Sequence, residues 1–379
     1  MIAAPVTPAI ATLNTGSSSL KFRIFARDSL DLLMAGKVTG IGTDCRMNAR
    51  VTGTGAQIAQ ELPGADQEAA LAAVIACIDA HDDDWRIDAF AHRIVHGGAT
   101  FTAPVIVTPE VMAELQTLCP LAPLHQPYNL AGIAASGRLA PDAQDIACFD
   151  TAFHAGHSEV VHSFALPQAM REAGVRRYGF HGISYEWIAR MLAEQRPDLA
   201  AGRVVAAHLG NGASLCALCG ARSLDTTMGM SALDGLPMGS RSGALDAGAV
   251  TYMMRRFGLD ADALDHMLYE DSGLKGLSGL TNDVATLVAS DDPRAAFALD
   301  CFTYRVAQYV GAMAVAMGGI DAVVFTGGIG ENAPGLRGAV LDRIGFLGPV
   351  ESLVIPANEE RMMAIHAREL LETRLEVMP

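Results

Sequence analysis

The chain has 379 residues, of which 50% are hydrophobic and 18% charged. That leaves ample apolar material for more than one packed core and excludes a disordered chain. With 27 Lys+Arg against 42 Asp+Glu the formal charge is −15, which argues against a nucleic-acid or anionic-membrane partner, because both need basic surface.

Taken in chain order, residues 1–13 carry no basic segment ahead of the apolar run, so they are not expected to be a signal peptide. Apolar runs predict strands over residues 10–13 and 19–25 around a polar Gly-Ser turn. Helical spacing follows at 69–80, strands at 89–95 and 105–107, and a helix opens at Pro109, where proline suits the first helical position. Residues 145–149 read as a buried strand ending in Asp150. Ser184 is expected to cap a helix running to about Gln195. Strands over 203–208 and 213–218 form a hairpin around Gly210-Asn211-Gly212. Helices dominate from 246 to 317, a strand covers 322–326, a Gly-rich turn leads into a helix after Pro334, and a last helix spans about 358–372. The most apolar stretch, 306–329, is broken by Gln308, Asp321 and five glycines, and reads as helix, turn and strand rather than a membrane span. A cytoplasmic protein of mixed α/β layers is expected. By length, the loop at 226–243 reads as a functional segment or lid.

Leu13-Asn14-Thr15-Gly16 and Leu209-Gly210-Asn211-Gly212 each end an apolar strand and precede small residues, an echo that suggests a duplicated domain. Both turns suit phosphate: glycine admits close approach, and amides, Ser17, Ser19 and Lys21 offer donors and a point charge. Gly328-Ile329-Gly330 to Ala333 matches the dinucleotide pattern G-x-G-x-x-A, but fewer than 50 residues follow it, so it reads as a lookalike. Arg93 inside an apolar strand needs a partner or ligand. Arg241, flanked by small residues, joins it as a candidate clamp on a phosphoryl group. Asp150 at a strand end suits metal or catalytic work. His92 and His96 are four apart, but on a strand that spacing does not make a zinc pair. The seven cysteines are scattered, and Cys216 and Cys219 face opposite sides of a strand, so neither a disulfide framework nor a redox pair is expected.

Together the segments LNTGSSSLKF, HRIVHGG, LAPLHQPYNL, FDTAFH, YGFHGISY, HLGNGASL, DTTMGM, MGSRSG, FTGGIGEN and VIPANEE, in this order over nearly the whole chain, resemble the acetokinase family, within the acetate/sugar kinase–chaperone ATPase–actin superfamily. The resemblance implies two duplicated ribonuclease H-like α/β domains with an active-site cleft between them: residues 1–149 with 360–379, and a nucleotide-binding domain over 150–359. It implies reversible transfer of the ATP γ-phosphoryl to acetate, giving acetyl phosphate and ADP, with Mg²⁺ or Mn²⁺ in its place, and a homodimer. Carried over by motif, Asn14, Ser17, Ser19 and Lys21 form the first phosphate turn, and His208, Leu209, Gly210, Asn211 and Gly212 the second. Arg93 and Arg241 hold carboxylate and phosphoryl, His181 stabilises the transition state with His125 nearby, and Asn14, Asp150 and Glu359 organise the metal. Asp283, Gly328, Ile329 and Gly330 lie at the nucleoside. Val95, Leu124, Phe180 and Ala232 line the acyl pocket.

Three features depart from the family pattern. Ala232 stands where a proline is usual, which favours propionate as a second substrate. Asp283-Val284-Ala285 lacks the family's arginine at the nucleoside, and residues 344–354 are shorter than usual. Readings from other classes are a nucleotide-gated binding module, for which no peptide-binding segment is left over, and a dinucleotide oxidoreductase. Propionate and butyrate kinases are alternatives within the family.

Overall fold

The structure is a computed structural model that describes residues 6–81 and 85–377; residues 1–5 of the N-terminal stretch lie outside it. The chain divides into two compact units, residues 1–152 with 358–379, and residues 153–357. Asp150 and Glu359 both fall in the first.

The first unit is built on an eight-stranded sheet: β1 (Thr7–Thr15), β2 (Ser19–Ala26), β3 (Leu32–Thr39), β4 (Arg46–Val51), β5 (Gln57–Glu61), β6 (Trp85–Ile94), β7 (Val105–Ile106) and β8 (Gln144–Phe149), in the order β5-β4-β3-β2-β1-β6-β8-β7. β1 to β3 pair antiparallel, and β1, β6 and β8 run parallel. The second unit carries β9 (Arg203–Leu209), β10 (Ala213–Cys219), β11 (Arg222–Thr226), β12 (Ala322–Thr326) and β13 (Glu351–Val354), in the order β11-β10-β9-β12-β13. Its directions repeat those of β3-β2-β1-β6-β8: a hairpin meander, then two parallel neighbours. The duplicated ribonuclease H-like arrangement is therefore present, and the two echoing turns occupy equivalent places, each after the first strand of its sheet. The first sheet adds β4 and β5 at one edge and β7 at the other.

Burial explains which strands were legible. Ile10, Ala11 and Leu13 of β1 and all of β12 are buried, as central parallel strands require. β5 buries none of its residues and β3 alternates imperfectly, so both lack a sequence pattern. The helix Pro293–Met317 starts at a capping Asp292 and ends at Gly318 with φ 70°, where a left-handed residue stops the ladder. It packs on β9, β10 and β11, while helix Glu359–Val377 packs on β1, β2 and β6. No helix of the described residues is long and apolar enough to cross a membrane.

Three expectations change. The loop at 226–243 is not a free lid: Met228, Leu236 and Met238 are fully buried, and its turn is closed by Met238 N donating to Arg241 O at 3.0 Å. Ser184 does not cap its helix. The helix Gly182–Gln195 begins one turn earlier, with His181 at the cap in the left-handed region, φ 58°. The segment at 327–332 is a short helix, Gly327–Asn332, rather than a turn. Cys216 is buried and Cys219 exposed, both free thiols.

Candidate active site

In the first unit the parallel strands β1, β6 and β8 bring Asn14, Arg93 and Asp150 to one end of the sheet, where side chains at strand C-termini face a ligand. Asp150, only 2% exposed, is held beside β6 by its N–H donating to Ile94 O at 3.0 Å. Arg93 donates to it twice through Nε, at 3.1 Å to each oxygen, and through Nη2 at 2.6 Å. Burial opposes the Arg93 charge, but Asp150, Glu359 and Glu360 more than offset it and raise its pKa. Glu359 opens the C-terminal helix, and burial pushes its carboxyl above the usual range, with Glu360 adding and Arg93, Lys21 and Arg23 opposing. Asn358 beside it accepts from Arg23 Nη1 at 2.9 Å.

The turn at residues 14–19 is clamped by residues to which the sequence reading gave no role. Gln67 Nε2 donates to Gly16 O at 2.6 Å and to Ser17 O at 2.9 Å, and Gly16 N donates to Ser19 O at 2.8 Å. Asn129 Nδ2 donates to Thr15 O at 2.7 Å, and its Oδ1 accepts from Val95 N at 3.1 Å, tying the turn to the end of β6. Gln126 does the same for His96, accepting from its N–H and donating to its carbonyl. Gln126 and Asn129 lie in LHQPYNL, so the motif was visible and their amides' task was not. Lys21 pairs across the hairpin with Asn14. Val95 is buried, Leu124 is 45% exposed, and His125 stands at the cap of helix Gln126–Leu139. His92 is committed to Asp145, at 2.8 Å, and His96 Nδ1 accepts from Gly98 N, so the two histidines serve separate local tasks.

In the second unit the left-handed cap turns His181 under β9. Its Nδ1 lies 2.8 Å from Ser214 Oγ, which meets Tyr185 OH at 2.5 Å. His208 Nδ1 meets Ser184 Oγ at 2.8 Å, which explains why Ser184 sits inside the helix, and the His181 and His208 rings stack 4.3 Å apart. Gly212 closes this group: a Cβ there would lie 3.3 Å from His181 Nε2 and 3.8 Å from Arg241 Nη1, so the second turn runs directly beside the imidazole and the guanidinium. Arg241 is held by Nη1 donating to Ala232 O at 3.1 Å and by the Tyr269 ring 5.8 Å away. Phe180, 2% exposed, precedes His181.

A cavity of about 910 Å³ adjoins the turn. Gly210, Asn211, Asp283, Gly328 and Ile329 line it, with Val284, Ala285 and Val288 giving an apolar wall. The Asp283 carboxylate is occupied as a helix cap, accepting from Thr286 N at 2.8 Å and Oγ1 at 2.5 Å. Gly330 is buried in the short helix that follows β12. Leu209 contributes backbone only, its side chain being buried.

A model of the acetokinase family matches residues 9–364. The chain belongs to the acetokinase family. An acetate kinase of Rhodopseudomonas palustris strain TIE-1 is 43% identical over 391 residues, covering 96% of this chain and 98% of that protein. An acetate kinase of Deinococcus radiodurans is 43% identical over 382 residues, covering 93% and 95%. Among solved structures, acetate kinase of Porphyromonas gingivalis superposes with TM-score 0.86 at 34% identity, covering 96% of this chain and 100% of that one. A propionate kinase of Francisella tularensis superposes with TM-score 0.88 at 31% identity, covering 95% and 98%. The chain is thus similar over nearly its whole length to kinases named for two different acids.

Proposed function

We propose that the protein is an ATP-dependent short-chain carboxylate kinase that phosphorylates acetate reversibly, giving acetyl phosphate and ADP by direct in-line transfer. The observation that carries this reading is the convergence of His181 Nε2 and Arg241 Nη1 on Gly212 of a glycine turn, next to a cavity of about 910 Å³ with an apolar wall. A phosphate tail on that turn meets backbone amides, an imidazole and a guanidinium, and a nucleoside fills the cavity.

A carboxylate is ionised at neutral pH and needs no general base. The chemistry is therefore alignment and charge neutralisation. Arg93, pre-oriented by Asp150, holds the acceptor carboxylate, and the family resemblance assigns Val95, Leu124 and Phe180 to its acyl group. Arg241 takes the charge of the transferring phosphoryl. His181 donates to it from Nε2 when the Ser214 hydroxyl donates to Nδ1 and the Tyr185 hydroxyl donates to Ser214, an order that leaves the imidazole proton on the ligand side. The family resemblance assigns an assisting role to His125 and phosphate oxygens to Asn14, Ser17, Ser19 and Lys21.

Asn14, Asp150 and Glu359 fit a hard divalent cation. Mg²⁺ characteristically takes one or two carboxylates, waters and substrate phosphates rather than a full protein cage, and Asp150 and Glu359 are two such carboxylates. When bound, Mg²⁺, or Mn²⁺ in its place, supplies charge neutralisation on the nucleotide phosphates. The homodimer and cytoplasmic location implied by the family resemblance belong to the same proposal.

Hydroxamate detection of acyl phosphate over acetate, propionate and butyrate, with ATP and other donors, tests the reading. Acetate as the best acceptor supports it, propionate as the best acceptor moves it to the sibling activity, and no acyl phosphate from any acid overturns it.

A further inference from the structure

Away from these residues, the second unit holds a cavity of about 510 Å³ beside the short helices Glu159–His162 and Gln168–Glu172, lined among others by His157, Glu159, His162, Arg171, Glu172 and Arg176. Two groups at this cavity are buried and unsatisfied in opposite senses. His162 is 7% exposed, and its Nδ1 lies 2.8 Å from the Arg177 carbonyl. A carbonyl only accepts, so Nδ1 carries a proton, and in the neutral ring Nε2 is an acceptor, buried with no hydrogen-bond partner. Arg176 Nε is a donor, also buried without a partner.

A second acceptor follows from a hydrogen-bond chain. His154 Nε2 lies 3.0 Å from the Phe180 carbonyl and must donate to it, so its Nδ1 accepts from Ser223 Oγ at 2.8 Å. With its one proton spent, Ser223 Oγ accepts from His157 Nε2 at 2.7 Å and from the Cys216 thiol at 3.2 Å. His157 Nδ1 is then unprotonated. Burial pushes His154 down to about 4, and burial with His154, His162 and Arg177 pushes His157 to about 3, so both rings are neutral at pH 7. Burial likewise pushes the Cys216 thiol up to about 12, so it keeps its proton to donate.

The charged lining is balanced, two guanidiniums against two carboxylates. A dianion would meet Glu159 and Glu172, and a simple cation would meet Arg171 and Arg176. A ligand with separated charges suits all of them: a carboxylate on the arginines, and an ammonium, with three donors and no acceptor, on the imidazole nitrogens and the glutamates. We propose that this cavity is a binding site for a small zwitterion of the α-amino-acid class.

Calorimetric titration of the full chain with each common α-amino acid tests this, independently of any kinase reaction. The N-acetyl and α-amide derivatives of each binder, and inorganic phosphate, are titrated in parallel. At least one amino acid is expected to bind once per chain, with both derivatives at least about tenfold weaker, since each loses a charged hydrogen-bonding end. Arg176→Met and, separately, Arg171→Met should weaken binding at least about tenfold with the thermal melt unchanged. Absence of binding at millimolar concentrations, equal binding of a derivative, unchanged binding in both variants, or phosphate binding that Arg176→Met abolishes would each overturn the proposal.

Discussion

Arg93 and Asp150 form a three-bond pair at 2.6 to 3.1 Å in which the carboxylate is almost wholly buried and the guanidinium partly so. The same arginine also lies in the field of Glu359 and Glu360. One side chain therefore carries two burdens, the proposed grip on the acceptor and the neutralisation of a buried carboxylate.

Arg93→Ala should reduce both turnover and stability. Removing one partner of a buried pair strands the other charge, at a cost of about 3–5 kcal/mol, and turnover should fall by about 10²-fold or more. Arg241→Ala should lower turnover similarly and cost less stability than Arg93→Ala, because the Ala232 carbonyl it leaves behind is neutral whereas Asp150 is a stranded charge. Urea denaturation and steady-state kinetics on both variants check the contrast. An Arg93→Ala protein as stable as the parent contradicts the pairing argument.

Ser214→Ala removes the donor to His181 Nδ1. With that hydroxyl gone the imidazole proton is free to move to Nδ1, so kcat should fall about tenfold while KM for nucleotide stays nearly constant. Tyr185→Phe should act in the same direction and more weakly. Nitrogen-15 spectra of the His181 ring read the tautomer directly, and an Nδ1–H form in the parent protein would refute the assignment.

Base selectivity should be weak. The cavity wall is apolar at Val284 and Ala285, and Asp283 Oδ2 is engaged twice by Thr286. ATP and GTP should differ in kcat/KM by less than about tenfold, since no buried polar group is left unpaired by the wrong base. Ala285→Arg should change that ratio. Parallel kinetics with both nucleotides decide the point.

Acid should destabilise the second unit through its buried histidines. His154 titrates near 4 when folded, against 6.5 when exposed. Between these values the unfolded chain binds more protons, so stability is complete above about pH 6.5 and falls as pH drops toward 4, by about 3 kcal/mol for His154 alone. His157, depressed in the same direction, steepens the slope. Urea unfolding at pH 7.5 and 5.0 measures it, and His154→Gln should flatten the dependence.

Much of this protein is written locally. The central strands β1, β9 and β12 are continuous apolar runs because both their faces are covered, and that pattern needs no partner to be read. The Gly-rich turns, the cap at Asp292 and the family motifs are likewise short-range features. β5 escaped because an edge strand with exposed residues has no reason to alternate cleanly, and β3, inside the sheet, alternates imperfectly. Other facts exist only once distant segments meet. That Asn129 links Thr15 to Val95, that Ser184 serves His208 rather than its own helix, and that the 226–243 loop is buried all depend on hydrogen bonds across long sequence separations. Composition and periodicity set which residues are buried; only the packed chain chooses which buried polar atom satisfies which, because each such choice is made by geometry between elements and leaves no trace in local spacing.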